Sequence, residues 1–409
     1  MRLIHQLVAV LAFATAPHAA LAASDPDAPA RVIVLGVDHA AQLVAENDRP
    51  GLLAAFIERV APDAICVERA PEPFARGDMY EFTYEIQDVA LPYAHAHRIA
   101  VCPFDWEPSH GDQMLGWGLD LSTPPEVRKP EGFQGFLSFP QPKKLQRTLF
   151  SADDRSTLAE IEHWIATPAP EASRDLSRRM YLYRTFMQAR RIAEAARQRP
   201  GQTLLVVVGE FHKYEIEAIL AGYPWVRVVQ PSSIGTPTAQ QAERATTRAQ
   251  RVAIASFNLL GAQADTGNVD WEWVGRELDA LERERRDAET ALLRTRYESL
   301  TGRIDDAVAA TRYRDIAADA DAARRFTWDG VRDRSRVDSY FDPFGNLRID
   351  QRARLEQARV LHALDKHEEA EALLDGLRGE LTPRQARQLD AYWLRMLEAP
   401  AANREPTKE

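Results

Sequence analysis

The sequence predicts an α/β fold: a mixed, mainly parallel sheet flanked by helices, with a helical insertion, followed by an all-α C-terminal domain. Three observations predict it. Two aliphatic runs of strand length each end in Gly-x-x-His: Val32-Ile-Val-Leu35 before Gly36-Val-Asp-His39, and Leu204-Leu-Val-Val-Val208 before Gly209-Glu-Phe-His212. Such continuous runs read as strands buried on both faces, as in a parallel sheet covered by helices. Strand-like and helix-like segments alternate over residues 31–231, the signature of βαβ units. Beyond residue 238 the pattern turns almost wholly to amphipathic helix, rich in Arg, Glu and Asp.

The elements follow in order. Met1-Arg2, an apolar stretch from Leu7 to Ala16 and the small residues Ala20-Leu-Ala22 predict a cleaved secretory leader over 1–22. The first strand follows, then a helix over about Pro50 to Val60, and a second strand, Ala64-Ile-Cys-Val-Glu68. A crossover through Tyr80 to Arg98 leads to a third strand at Ile99-Ala-Val-Cys102. Residues 103–142 are Pro-, Gly- and aromatic-rich without periodicity, a lid or loop in which Trp106, Trp117, Phe133 and Phe136 either line an apolar pocket or staple the loop down. Residues 151–198 read as helix. The second Gly-x-x-His strand, a helix over about Lys213 to Leu220 and a short strand at Trp225 to Val229 complete the α/β domain, 31–231. The cluster Gln230 to Pro237 reads as a linker. In the helical domain, 238–399, Ala358, Leu361, Ala370 and Leu374 fall where a tetratricopeptide-type hairpin packs. With one such unit and no regular period upstream, the expected architecture is a helical bundle.

Composition excludes several roles. The formal charge is −10, which disfavours nucleic acid and anionic membrane surfaces as partners. Apart from the leader, nothing is long and apolar enough for a membrane anchor. The expected location is therefore secreted or periplasmic. Cys66 and Cys102 lie near the ends of two strands. They are expected as small buried apolar residues rather than a bridge, because linking neighbouring strands inside a core is geometrically demanding. There is no His-Glu-x-x-His, no Gly-x-Ser-x-Gly, no phosphate loop and no paired Cys-x-x-Cys.

The chemistry is expected where the strands end. The carboxyl edge of an open α/β sheet is where such folds place their sites. Aligning the strand ends brings His39, Glu68, Asp105 and His212 to that edge. Two imidazoles and one or two carboxylates suit Mn²⁺, Co²⁺, Zn²⁺ or Fe²⁺. The same set without metal suits a general base oriented by an acid. Asp38 and Glu210, inside the two motifs, are candidates to orient the histidines. His95, His97 and His110 lie elsewhere and read as surface or helix-capping residues.

Gly36-Val-Asp-His39, the strand-end Glu68 and Gly209-Glu-Phe-His212 resemble the signature of the TraB/GumN family, which is related to the Tiki proteases, ChaN-like haem- or iron-binding proteins and erythromycin esterases. The family pattern Arg-Asn/Asp-x-x-Met-Ala-x-x-Ile is similar to Arg184 through Ile192, with Thr185 and Gln188 as departures. The resemblance spans about residues 31–231. It implies metal-dependent peptidase, metal-free ester hydrolysis or ligand binding, depending on the member. The resulting expectation is an exported metal-dependent hydrolase of a peptide, amide or ester. In it His39, His212 and Glu68 are ligands, Glu68 is an alternative base, and Arg184 holds a substrate carboxylate or an oxyanion. A non-catalytic metal, haem or small-ligand binding protein is the alternative, and the helical domain offers a surface for a protein partner.

Overall fold

A computed structural model describes residues 28–129 and 138–398. The expected leader, 1–22, lies outside the described residues, as do Phe133 and Phe136. The α/β part runs β1 (Ala30–Val37), α1 (Pro50–Val60), β2 (Ala64–Val67), α2 (Pro71–Ala75), α3 (Leu91–His97), β3 (Ala100–Pro103), α4 (His110–Trp117), α5 (Ala159–Ala166), α6 (Leu176–Arg197), β4 (Thr203–Gly209), α7 (Glu210–Leu220) and β5 (Val226–Val229). The helical part comprises α8 (Ala239–Ala245), α9 (Arg248–Leu259), α10 (Trp271–Glu284), α11 (Ala288–Leu300), α12 (Asp306–Ala317), α13 (Ile349–Ala363), α14 (His367–Glu380) and α15 (Pro383–Glu398).

The five strands form one sheet in the order β3-β2-β4-β1-β5, and every pairing is parallel. No antiparallel strand joins it among the described residues, so the sheet is wholly parallel where a mixed one was expected. Alternation along the strands sorts the core. Ile33, Leu35, Ile65, Val67, Leu205 and Val207 face one side, where their apolar cluster continues through α1 into Val252, Trp273, Tyr297 and Ile349. Val32, Val34, Cys66, Leu204, Val206 and Val208 face the other, against Ala189 and Ile192 of α6 and Ile216 of α7. One continuous core therefore crosses the segment 230–237 that reads as a linker in the sequence.

Cys66 and Cys102 form a disulfide, a correction to the expected pair of free thiols. They are direct register partners on β2 and β3, with Cα atoms 4.4 Å apart. That lies at the short end of the span a disulfide accepts, so the strand pairing supplies the proximity that sequence cannot show.

Two further differences concern irregular chain. Residues 324–348 are not helical. Gly330, Pro343 and Gly345 break the pattern, and the segment is held by side chains instead: Asn346 donates to the Arg334 carbonyl at 3.1 Å, and Arg336 forms a two-point pair with Asp338 at 2.7 and 2.9 Å. The stretch after β3 is tied to this segment and to α15. The Arg128 amide donates to Tyr392 Oη at 2.8 Å, and Arg336 Nη2 reaches the Pro125 and Glu126 carbonyls. Ala358, Leu361, Ala370 and Leu374 are all buried in one apolar cluster with Leu389, Tyr392 and Trp393 of α15.

Candidate active site

The parallel sheet places four chain segments side by side at its carboxyl edge: the turn after β3 with Asp105, the end of β2 with Glu68, the start of α7 with His212, and the turn after β1 with His39. Helix α7 begins at Glu210, three residues earlier than its periodicity suggests. His212 is thereby fixed in a first helical turn rather than in a loop. His39 has φ +37°, in the left-handed region. A non-glycine residue there costs roughly 1–2 kcal/mol, and such strain persists where surrounding contacts over-determine it.

Each imidazole is held through Nδ1. His39 Nδ1 donates to Glu85 Oε1 at 3.0 Å. Glu85 is fully buried in a one-turn π-helix, Glu85–Ala90. For His212, the partner is Thr185 Oγ1 at 2.7 Å. The Thr185 hydroxyl gives its own proton to the Tyr181 carbonyl at 2.8 Å, so it accepts from His212, and Nδ1 carries the hydrogen. His212 therefore turns Nε2 toward Glu68. His212 Nε2 lies 3.6 Å from Glu68 Oε1. A Cβ placed on Gly209 would sit 3.2 Å from His39 Nε2 and 3.3 Å from Glu68 Oε2. This glycine is where backbone passes close to the two side chains.

Glu68 is oriented on both oxygens. The Gly209 amide donates to Oε2 at 2.6 Å, and Arg184 Nη2 donates to Oε1 at 3.1 Å. Arg184 is itself clamped by Asp105, with Nε and Nη2 at 2.8 and 2.7 Å from its two oxygens. Asp105, wholly buried, also accepts from Tyr80 Oη, Gln188 Nε2 and the Trp106 amide, each at 2.8 Å. Planar two-point pairing fixes the guanidinium in one orientation.

The environments drive the two histidines apart. Burial would lower the His39 pKa, but the Glu85 carboxylate outweighs it, with Glu68 and Asp38 adding, and the value rises to about 9. His212 falls to about 4, because burial dominates and Glu68 only partly opposes it. At neutral pH one imidazole is charged and the other neutral. Burial also pushes the Asp105 carboxyl up, yet Arg184 and the other donors hold it below the usual carboxylate range.

His39, Glu68, Asp105 and His212 thus converge as their strand ends suggest, and Arg184, expected from the resemblance, joins them from α6. Asp38 and Glu210 bond elsewhere. Asp38 pairs with Lys144, and Glu210 Oε2 lies 2.7 Å from Arg147 Nη2. Arg147 is also 3.6 Å from buried Asp48, whose pKa burial raises to about 7 against the pull of Arg147. Their role is to anchor the segment 144–147 beside the site. His110 pairs with Asp120, and His97 stacks on Tyr93, both away from it. The sequence reading missed Glu85, Tyr80 and the Gly209 amide. Only the unusual π-turn marks Glu85, since such turns collect at functional sites.

Among the described residues, no three or more His, Cys, Asp or Glu side chains are grouped closely enough to hold a metal ion as they stand. Arg184 and the Gly209 amide draw Glu68 toward their own sides. What the site shares with metal-binding histidines is the anchoring of each imidazole through Nδ1, on Glu85 and on Thr185. Comparison with protein-family models, curated proteins and solved structures yields no match.

Proposed function

We propose that this chain is an exported hydrolase of a peptide, amide or ester bond, with a divalent metal ion held by His39, His212 and Glu68. The resemblance to the TraB/GumN family belongs to the same reading. The observation that carries it is the anchoring of both imidazoles through Nδ1, by Glu85 and Thr185, beside Glu68, which His212 Nε2 approaches at 3.6 Å. When bound, Mn²⁺, Co²⁺, Zn²⁺ or Fe²⁺ would supply Lewis acidity and lower the pKa of water toward neutrality. The protein's share is defined by its own groups. His39 must give up the proton that Glu85 stabilises before Nε2 can act as a ligand. Neutral His212 keeps a lone pair at working pH. Arg184, held rigid by Asp105, presents a permanent positive charge beside Glu68 for a substrate carboxylate or a developing oxyanion.

Metal content of purified protein, measured by plasma mass spectrometry beside a His39→Ala/His212→Ala variant, tests this reading. Near-stoichiometric metal lost in the variant supports it. Absence of metal from both, even after incubation with each ion, overturns it.

The split between a charged and a neutral imidazole favours a second reading, metal-free ester hydrolysis. There His39 is the acid and His212 the base, since titratable neighbours with separated pKa values are suited to opposite proton-transfer roles. Turnover that survives exhaustive chelation would select it.

A further inference from the structure

We infer that an aromatic shelf beside His212 is the subsite for a large apolar, ring-bearing group of the substrate, next to the bond that is cut. This assignment rests on the hydrolase reading and names the substrate class for the same site.

Helix α6 builds the shelf. Tyr181 and Thr185 are one turn apart on one face, and both hold His212. Thr185 takes the Nδ1 hydrogen, while the Tyr181 ring lies nearly parallel to the imidazole, with centroids 4.8 Å apart and planes at 14°. Trp164 of α5 meets Tyr181 edge-on, with centroids 5.3 Å apart and planes at 71°. The Tyr181 hydroxyl donates to the Phe211 carbonyl, so it ties the shelf to the start of α7. A line of rings runs from solvent to the imidazole: Trp164, Tyr181, His212.

The outer ring is open: Trp164 is 38% exposed. What sets Trp164 apart from other exposed rings such as Tyr183 and Phe186 is its edge contact with Tyr181, the ring that stacks on His212. Exposed apolar surface continuous with a candidate catalytic group is suited to binding. The chemistry selects the occupant. A ring seated against Tyr181 and Trp164 gains edge-to-face and offset contacts at centroid spacings of about 4.5–7 Å. Seated there, it is separated from the imidazole by the Tyr181 ring, itself stacked on His212 at 4.8 Å, so the bond to be cut would lie on the His212 side of it. A short polar group gains nothing from these rings. Continuity with His212 favours a substrate group over a second copy of the chain, which would have to cover the imidazole to use the shelf.

The test is a binding measurement, independent of turnover. Protein labelled with 5-fluorotryptophan gives a ¹⁹F resonance for Trp164, assigned by Trp164→Phe. It is titrated with N-acetyl-phenylalaninamide and, separately, N-acetyl-serinamide. The expected result is a saturable shift with the phenylalanine compound, at least about tenfold tighter than with the serine compound. That is the factor associated with roughly one ring's partial burial. The preference should shrink severalfold in Tyr181→Leu, checked by circular dichroism for retained fold. Equal affinity for the two amides, or no shift with either, overturns the assignment. A Trp164 shift that depends on protein concentration without added amide also overturns it, by giving the shelf to self-association. If the shift appears but no bond is ever hydrolysed, the hydrolase reading fails while the subsite stands.

Discussion

Replacing Glu85 with Gln removes one charge from a buried site and leaves the shape almost unchanged. Glu85 Oε1 is 3.0 Å from His39 Nδ1, and this carboxylate is the largest influence holding the imidazole pKa up at about 9 against its ordinary 6.5. A group whose pKa is raised on folding stabilises the fold fully below its unfolded pKa and loses that contribution as pH rises through its folded pKa. Here the window is pH 6.5 to 9. At 1.36 kcal/mol per unit, a net shift of this size makes protonated His39 in its surroundings, Glu85 foremost among its charged neighbours, contribute about 3 kcal/mol below pH 6.5, fading by pH 9. Urea unfolding of metal-free wild type and Glu85→Gln should therefore show a stability difference that is largest at the acid end and falls by about that amount across the window. His212 titrates in both proteins and cancels in the difference. Histidine NMR titration supplies the microscopic check: the His39 resonance should move from a midpoint near 9 toward the ordinary value in Glu85→Gln. Parallel stability profiles, or a wild-type His39 midpoint near 6.5, would refute the reasoning.

The same proton couples to the proposed metal. Between pH 6.5 and 9 one proton must leave His39 for each ion bound, so the apparent Mn²⁺ or Zn²⁺ affinity should rise about tenfold per pH unit, measured by competition with a chromogenic chelator. A flat profile would remove His39 from the ligand set. Asp105→Asn leaves buried Arg184 with Glu68 as its one remaining charged partner at this site and should cost about 3 kcal/mol in urea unfolding, with turnover lost as well. Opening the Cys66–Cys102 bridge by substitution to Ser at both positions frees a 36-residue separation, which chain entropy values at roughly 4 kcal/mol; unchanged stability would show the bridge is unformed in solution. The two motif glycines should differ in kind. A Cβ on Gly36 would meet the Ala152 Cβ at 2.7 Å and should lower the melting temperature, whereas one on Gly209 presses on His39 and Glu68 and should weaken metal binding with little loss of fold.

The contrast between these glycines shows what the sequence could carry. An aliphatic run followed by Gly-x-x-His specifies a strand, its end and a polar residue just past it. Because parallel strands point the same way, knowing the ends of β1, β2, β3 and β4 was enough to bring His39, Glu68, Asp105 and His212 to one edge. Arg184 came from a different source, the motif resemblance, and Asp105 holds it there with two hydrogen bonds. Whatever depended on register or on packing between distant elements stayed hidden. The Cys66–Cys102 bridge needs the β2–β3 register, which no periodicity encodes. Asp38 and Glu210 were nearest to the histidines along the chain, yet the orienting groups are Glu85 and Thr185, distant in sequence and brought in by tertiary folding.

Thr185 and Gln188 make the point most sharply. Against the family pattern of α6 they are departures, and departures invite the thought of a decayed site. In the folded chain Thr185 fixes the His212 tautomer, and Gln188 donates to the carboxylate that clamps Arg184. An Asn or Asp at 185 could also meet an imidazole, but Asp would add a charge there. Asp would then raise the His212 pKa as Glu85 raises that of His39, and narrow the separation between the two imidazoles. A hydroxyl that has already donated to the Tyr181 carbonyl accepts the Nδ1 hydrogen without adding charge. Thr185→Asp should accordingly lift the His212 NMR midpoint from about 4 toward or above the ordinary 6.5, while Thr185→Ser should leave it in place. If both variants leave the midpoint where it is, Thr185 is packing and not a determinant of this site.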